Sequence, residues 1–468
     1  MMDLMPNLGM ENGQPLYVQL YRYIREEIIQ GRLEQDEKLP SIRRLSKSLA
    51  ISRTTIENAY QQLLVEGYLY SLPQKGYYVS AFDKTYVNHQ ETQVVGHPQA
   101  RIEDSIQYDF KNEYVEVHNF DFNLWRKYMN RVLNYDSHKL YKANHIQGEE
   151  ELRQEIVRYL RRSRGVTAEP HQIIVGSGGQ YLLNILSTLL KQMHIRECAF
   201  EDPGFNRAKN IFIHNDFNIV PIPVEAQGLN LEVLRQSQAK LCYVSPSHQF
   251  PTGMVMSIDQ RIQLLKWASD NKGYIIEDDY NSELRYSGKP IPSMQSFDKD
   301  NRVIYLGSFS TVLVPAIRIS YMILPNGLFD LYHQNKYRYT QTTSKTEQLA
   351  LATFMGEGMF EKHIRRLKKN YAKKNAAIIQ AVRTYMDEHV TIGGMDSGLH
   401  LLLTIKTSLT EQEIVKMAYH KAMLLFSMSE YRIAPREDSN PIMILSYRGI
   451  PSEKIDEAIK LLKEITIK

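Results

Sequence analysis

Apolar positions recur with a helical period at the start of the chain. Leu16, Leu20, Tyr23, Ile24 and Ile28 fall on one face of a helix that ends near Gly31. Pro40-Ser41 opens a second helix with Ile42, Leu45 and Leu49 inward, and Ser52 caps a third carrying Ile56, Ala59, Tyr60, Leu63 and Leu64. The short Ala50-Ile51-Ser52 turn between them predicts a helix-turn-helix. Past Glu66-Gly67 the pattern becomes alternating, and Tyr68-Leu69-Tyr70 and Gly76-Tyr77-Tyr78-Val79 predict a hairpin with Gln74-Lys75-Gly76 at its tip.

From Ala81 to Ser105 the chain is polar and unperiodic, which is linker composition. Beyond it, helical stretches such as Glu149 to Arg162 alternate with short apolar strands: Ile173–Val175, Cys198–Phe200, Ile219–Ile222, Leu241–Val244, Tyr274–Ile276 and Val303–Leu306. Strand, loop with Gly or Ser, then helix is the rhythm of a parallel sheet covered on both faces, with ligands collecting at the C-terminal strand ends. The chain therefore divides into residues 1–80, a linker 81–105, and a large α/β unit 106–468.

Composition adds little until it is localised. Net charge is +4, too mild to demonstrate a nucleic-acid partner. Yet between Lys38 and Arg53 stand Lys38, Arg43, Arg44, Lys47 and Arg53 with no acid among them. The third helix offers Arg53, Thr54, Thr55 and Asn58 at its N-terminal end, side chains that reach phosphates and base edges, and Lys75 sits at the hairpin tip. A small helical domain with a solvated basic face would share that pattern. Two cysteines are too few for a disulfide framework, residues 1–13 lack a signal-peptide pattern, and no run approaches a membrane span, so a cytoplasmic location is expected.

The chemistry-bearing residues gather in strand-end loops. Gly307-Ser308-Phe309-Ser310-Thr311 leads to Arg318 between two apolar runs; its hydroxyls, backbone N–H groups and guanidinium suit a phosphate, although a polar loop between core strands reads the same way. Gly176-Ser177-Gly178-Gly179 precedes a helix, so its N–H groups and the Ser177 hydroxyl can also hold a phosphate. Glu277-Asp278-Asp279-Tyr280 follows a buried strand, where an acid pair could equally cap a helix.

Read together, these segments carry two resemblances. Leu39-Pro40-Ser41-x-Arg43-x-Leu45, Ser52-Arg53-x-Thr55 and Ala59-Tyr60-x-x-Leu63-x-x-Glu66-Gly67 resemble the winged-helix reader of GntR-type regulators over residues 14 to 80. That resemblance implies Arg43, Ser52, Arg53, Thr55 and Asn58 as contacts to double-stranded DNA, with Gly76 letting the wing approach the minor groove; the wing tip departs from the usual small residues. Residues 106 to 468 resemble fold-type I aminotransferases that use pyridoxal phosphate. The resemblance implies a phosphate loop at Ser177 and Gly178, Phe205 over the pyridine ring, Asp278 at the ring nitrogen, Tyr280 at the phenolic oxygen, and phosphate contacts from Ser308, Ser310 and Arg318. Arg207 stands where regulatory relatives hold a ligand carboxylate, and Phe250 in Ser245-Pro246-Ser247-His248-Gln249-Phe250-Pro251-Thr252-Gly253 replaces the Asn of the enzymes.

Thr311 occupies the position of the lysine that anchors the cofactor as a Schiff base, and Glu430 aligns with an arginine that grips the substrate α-carboxylate, with Arg432 or Arg436 as substitutes in another register. A hydroxyl can neither form that bond nor move the transamination proton, so pyridoxal phosphate is expected without covalent attachment and no catalytic residue is assigned. An acid at 430 would favour a cationic, amine-like effector over an amino acid. The whole resembles the MocR/GabR subgroup, which implies head-to-tail homodimers sensing an amine or amino acid. A working pyridoxal-phosphate enzyme fused to a DNA reader, and a fold retained only for dimerisation, are the competing readings.

Overall fold

The computed structural model describes residues 14–82, 106–111, 119–225, 228–286, 288, 290–435 and 440–467. The chain forms two compact units, Met1–Ala100 and Arg101–Lys468. Apart from Ala81 and Phe82 the expected linker lies outside the described residues, and Phe82 packs edge-on against Tyr68, so it belongs to the first unit's core.

The first unit contains helices α1 (Leu16–Ile29), α2 (Ile42–Leu49) and α3 (Arg53–Val65), then strands β1 (Leu69–Leu72) and β2 (Gly76–Val79). The expected apolar stripe closes its core: Leu20, Ile24, Ile28, Leu45, Ile56, Ala59, Tyr60 and Leu63 are buried together. Ser41 and Ser52 cap α2 and α3 by accepting from the amides of Arg44 and Thr55. Between them Ala50 takes a left-handed conformation, which makes the turn sharp. The hairpin is joined by the segment before α2, since Leu39 N–H donates to the Tyr77 carbonyl and Val79 N–H to that of Glu37.

In the second unit an eight-stranded sheet runs in the order Ile173–Gly176, Ser320–Ile323, Val303–Ser308, Tyr274–Asp278, Leu241–Val244, Glu197–Asp202, Asn218–Glu225, Gly228–Leu229. The expectation of a parallel sheet needs correction at two strands. Ser320–Ile323 is antiparallel to both neighbours and Gly228–Leu229 to its one. The reason is local: the loop from Phe309 to Ile319 carries only a short 3₁₀ turn and cannot make the crossover a parallel pair needs. A second sheet, Val390–Gly393, His400–Ile405, Ile442–Ser446 and Phe426–Ser427, is antiparallel throughout. Among the described residues no helix is long and apolar enough to cross a membrane.

Register decides where the loops meet. Ser320 faces Gly176 on one side and Ser308 on the other, and Leu306 pairs with Asp278. The reversed strand therefore brings its first residue to the same sheet edge at which the parallel strands end, and the loops after Gly176, Asp278 and Ser308 converge there.

Candidate functional site

In the first unit the residues expected to read DNA share an exposed face. Arg43, Arg44, Ser52, Arg53, Thr54 and Asn58 are exposed and Thr55 is half-buried. Ser52 and Thr55 are also structural: the Ser52 hydroxyl accepts from Thr55 N–H at 3.1 Å and shares a hydrogen bond with the Thr55 hydroxyl at 2.8 Å. The Tyr60 hydroxyl ties α3 to the segment before α2 by donating to the Pro40 carbonyl at 2.9 Å. Lys75 is exposed at the hairpin tip, and Gly76 at φ +112 is a backbone shape that a side chain would strain.

In the second unit the loop at Ser177 and Gly178 and the Arg318 side chain come together. The Arg318 guanidinium donates to the Ser177 carbonyl at 3.4 Å and lies over Gly178, where a Cβ would overlap it. Two amides expected for a phosphate are nevertheless committed: Ser177 N–H donates to the Thr342 hydroxyl at 3.1 Å and Gly178 N–H to the Gly176 carbonyl at 2.8 Å. A helix leaves its first amides without intrahelical partners, so those of Gly179 and Gln180, at the start of the exposed end of helix Gly179–Gln192, are the ones left to face an anion. Ser308 is likewise engaged, its hydroxyl accepting from Ser320 and from Ser310 N–H at 2.9 and 3.3 Å. The Ser310 hydroxyl oxygen is buried without a partner among the described residues. Thr311 is half-buried in the turn between Ser310 and Val312, and His363 holds that turn by donating from Nε2 to the Val312 carbonyl at 2.6 Å.

Asp278 accepts a short hydrogen bond from the Tyr243 hydroxyl. Burial, assisted by the neighbouring Asp279 and opposed by that bond, pushes its carboxyl up to about 6. Its neighbour does different work: Asp279 is the partner of Arg164 in a salt bridge of 2.7 Å whose side chains are 4% and 1% exposed. The Tyr280 hydroxyl is buried and has no partner among the described residues. Phe205 starts helix Asn206–His214, with Arg207 exposed in its first turn, and packs edge-on against Phe250, which in turn meets Tyr431 at 4.8 Å. Beneath them burial raises Glu201 to about 8, against the donors Gln249 and Ser245 N–H, so this acid is mostly protonated at neutral pH. Burial, with His400 and Arg285 nearby, lowers His248 to about 3, so it stays neutral while Nδ1 bonds Ser397 at 3.0 Å.

Glu430, expected to meet an effector, has partners within the fold. Its carboxylate pairs with Lys111 at 3.3 Å and accepts from Ser427 N–H at 3.2 Å in a capping box, so its charge is compensated and its position is set by a turn. Arg432 is half-buried, and Arg436 lies outside the described residues. Four positioning residues were missed from sequence, Thr342, Tyr243, Arg164 and His363. Each acts across a long chain separation, 165 residues for Thr342 and Ser177, so no local pattern announces it.

Two orphaned buried hydroxyls, a helix N-terminus crossed by a guanidinium, and a buried carboxyl with an aromatic ring nearby form a site whose polar groups fit a phosphorylated pyridine. The class defined is thus an aminotransferase-fold unit joined to a winged helix. The bacterial regulatory proteins of the gntR family match at residues 16–79, and aminotransferase class I and II at 111–428. The chain is 42% identical over 463 residues to the uncharacterized HTH-type transcriptional regulator YdeL of Bacillus subtilis, covering 99% of each. It is 32% identical over 469 residues to the probable rhizopine catabolism regulatory protein MocR of Rhizobium meliloti, covering 96% of this chain and 93% of that protein. The crystal structure of Pyrococcus horikoshii kynurenine aminotransferase superposes with a TM-score of 0.71 at 24% identity, covering 82% and 96% of the two chains. The chain belongs to the MocR-type transcriptional regulators, in which a GntR-type reader is fused to a fold-type I aminotransferase domain, a family that depends on pyridoxal phosphate.

Proposed function

We propose that this chain is a cytoplasmic, head-to-tail dimeric regulator. Residues 1–80 read paired sites on double-stranded DNA, 81–105 link, and 106–468 sense an amine or amino-acid-like effector without catalytic turnover. The observation that carries the reading is the conjunction of a helix-turn-helix whose stretch from Lys38 to Arg53 is basic and free of acids with an aminotransferase-fold unit in which the hydroxyls of Ser310 and Tyr280 are buried without partners among the described residues and the side chain next to Ser310 is a hydroxyl, Thr311. Arg43, Arg44, Arg53 and Lys75 supply phosphate contacts, and Ser52, Thr54, Thr55 and Asn58 the shorter polar reach, with Gly76 at the groove.

At the converging loops, Arg318, the Ser310 hydroxyl and the amides of Gly179 and Gln180 would hold the cofactor's phosphate, with Ser177, Gly178 and Ser308 shaping the cradle. Bound there, the cofactor would have Asp278 to keep its ring nitrogen protonated, Tyr280 to donate to its phenolic oxygen and Phe205 to cover its ring. Pyridoxal phosphate supplies an aldehyde that is electrophilic towards primary amines. Thr311 gives neither a covalent anchor nor a base that relays protons between carbons, so the chain's own residues would hold the ligand without a bond to it. Arg207 is the contact for an effector carboxylate. Glu430, with Lys111, lines the approach as a neutralised pair rather than as a selector for cations.

The test titrates a duplex site, selected by the protein from random sequence, in fluorescence anisotropy. Arg53→Ala is expected to weaken binding and to lower the slope of log affinity against log salt by about 1, with the dimer mass unchanged in light scattering. Unchanged affinity would remove α3 from the DNA, and mass spectrometry of the denatured protein identifies any small molecule that copurifies.

A further inference from the structure

The longest helix, Met359–Met386, buries one face and carries an unusual other. Its 28 residues hold eight cations, Lys362, Arg365, Arg366, Lys368, Lys369, Lys373, Lys374 and Arg383, and one acid, Glu361. The helix alone therefore exceeds the net charge of +4 of the whole chain. At about 100° per residue, Lys362, Arg365, Arg366, Lys369 and Lys373 fall within an arc of about 100°, opposite the buried Phe360, Leu367, Tyr371 and Ile378. All five are exposed. Glu361 gives no relief, because Arg162 of the neighbouring helix takes its carboxylate at 2.8 Å. Arg366 donates to the Asn119 carbonyl at 3.2 Å, while Lys362, Arg365, Lys369 and Lys373 have no hydrogen-bond or ion-pair partner among the described residues.

A merely solvated helix face mixes both signs, as Ile455–Thr466 does with Asp456, Glu457 and Glu464 against Lys460 and Lys463. Four unpartnered cations in a row repel one another, and a polyanion removes that cost. From Lys362 to Lys373 the stripe runs about 16 Å along the helix axis. Over that length a duplex presents on the order of ten phosphate charges.

We infer that this face is a second, sequence-independent DNA-binding surface, which contacts the phosphate backbone outside the bases read by α3. The inference rests on the reading of the chain as a DNA-binding regulator. It concerns affinity and salt dependence, since cations without base contacts position DNA but do not specify sequence.

The experiment uses the full chain and two duplexes: the selected site alone, and the same site extended on each side by about two helical turns of unrelated sequence. A variant carrying Lys362→Gln, Arg365→Gln, Lys369→Gln and Lys373→Gln is compared with one neutralised at the exposed Lys266, Lys299, Lys416 and Lys463. For the long duplex the slope of log affinity against log salt is expected to fall by about 3 to 4 in the helix variant, at about 0.9 per phosphate lost. Its affinity falls at least tenfold at low salt. The second variant keeps the wild-type slope, and all three proteins bind the short duplex alike. An unchanged slope in the helix variant, or equal losses in both variants, overturns the inference while leaving α3 as the reader. Loss of promoter response with unchanged DNA binding reassigns the face to an acidic protein partner and also overturns it. Failure of the wild type to bind either duplex overturns this inference and the DNA-binding function together.

Discussion

Asp278→Asn separates the carboxyl's cost to the fold from its value to a ligand. In the folded chain the group holds its proton up to a pH of about 6, against 3.8 for the free side chain, and burial is the largest cause. Its favourable contribution to folding is therefore complete below about pH 4 and is lost as pH rises through about 6. Above that the ionised group opposes folding by roughly 3 kcal/mol, at about 1.4 kcal/mol per unit. Asn has the same shape and still accepts from the Tyr243 hydroxyl, so the substitution removes the charge and little else. At pH 8 the thermal midpoint of the ligand-free variant is expected to rise, by up to about 6 °C at about 2 °C per kcal/mol for a unit this large. At pH 4 the two proteins coincide. Added pyridoxal phosphate reverses the order at pH 8: a cationic ring nitrogen is stabilised beside Asp278 and not beside Asn, so the wild type gains the larger shift. Scanning calorimetry at both pH values, with and without the ligand, reads all four combinations. A variant less stable than wild type at pH 8 without ligand, or equal ligand shifts in both, refutes the reasoning.

Three further outcomes are expected. Thr311→Lys gains a borohydride-fixed adduct with pyridoxal phosphate at residue 311, detected by peptide mass spectrometry, while the wild type yields none; an adduct in the wild type would end the non-covalent reading. Arg164→Met leaves Asp279 buried and uncompensated and lowers stability by about 3–5 kcal/mol in urea titration, whereas adding Asp279→Asn, which keeps an acceptor for Tyr305 and Ser282, regains at least half. Ser52→Ala removes the α3 cap and costs the first unit about 1 kcal/mol, while Thr54→Ala, exposed in the same turn, leaves stability unchanged.

The winged helix was legible residue by residue, because its caps, its apolar period and its turn are all local. Ser41 and Ser52 sit immediately before the helices they close, and the buried faces of α1 and α3 follow the 3.6 period. The strand-end loops of the second unit were legible for the same reason, each being a short motif after an apolar run. The sheet was less so. Nothing in the residues of Ser320–Ile323 distinguishes an antiparallel from a parallel strand, and only the brevity of the preceding loop sets its direction. Glu430 shows the same limit: sequence places an acid in the loop, but the folded chain brings Lys111, 319 residues away, to neutralise it.

The sequence by itself therefore determined which elements form, where they begin, and which segments carry hydroxyls, carboxyls and guanidinium groups, since propensity, capping and periodicity act over a few residues. Only the tertiary structure decided what those groups are free to do. It spent the Ser177 amide on Thr342, gave Asp279 to Arg164 while leaving Asp278 to Tyr243, and kept the hydroxyls of Ser310 and Tyr280 without partners. Hydrogen bonding and desolvation depend on distance in space, and distance in space between remote residues is fixed by packing rather than by any local pattern.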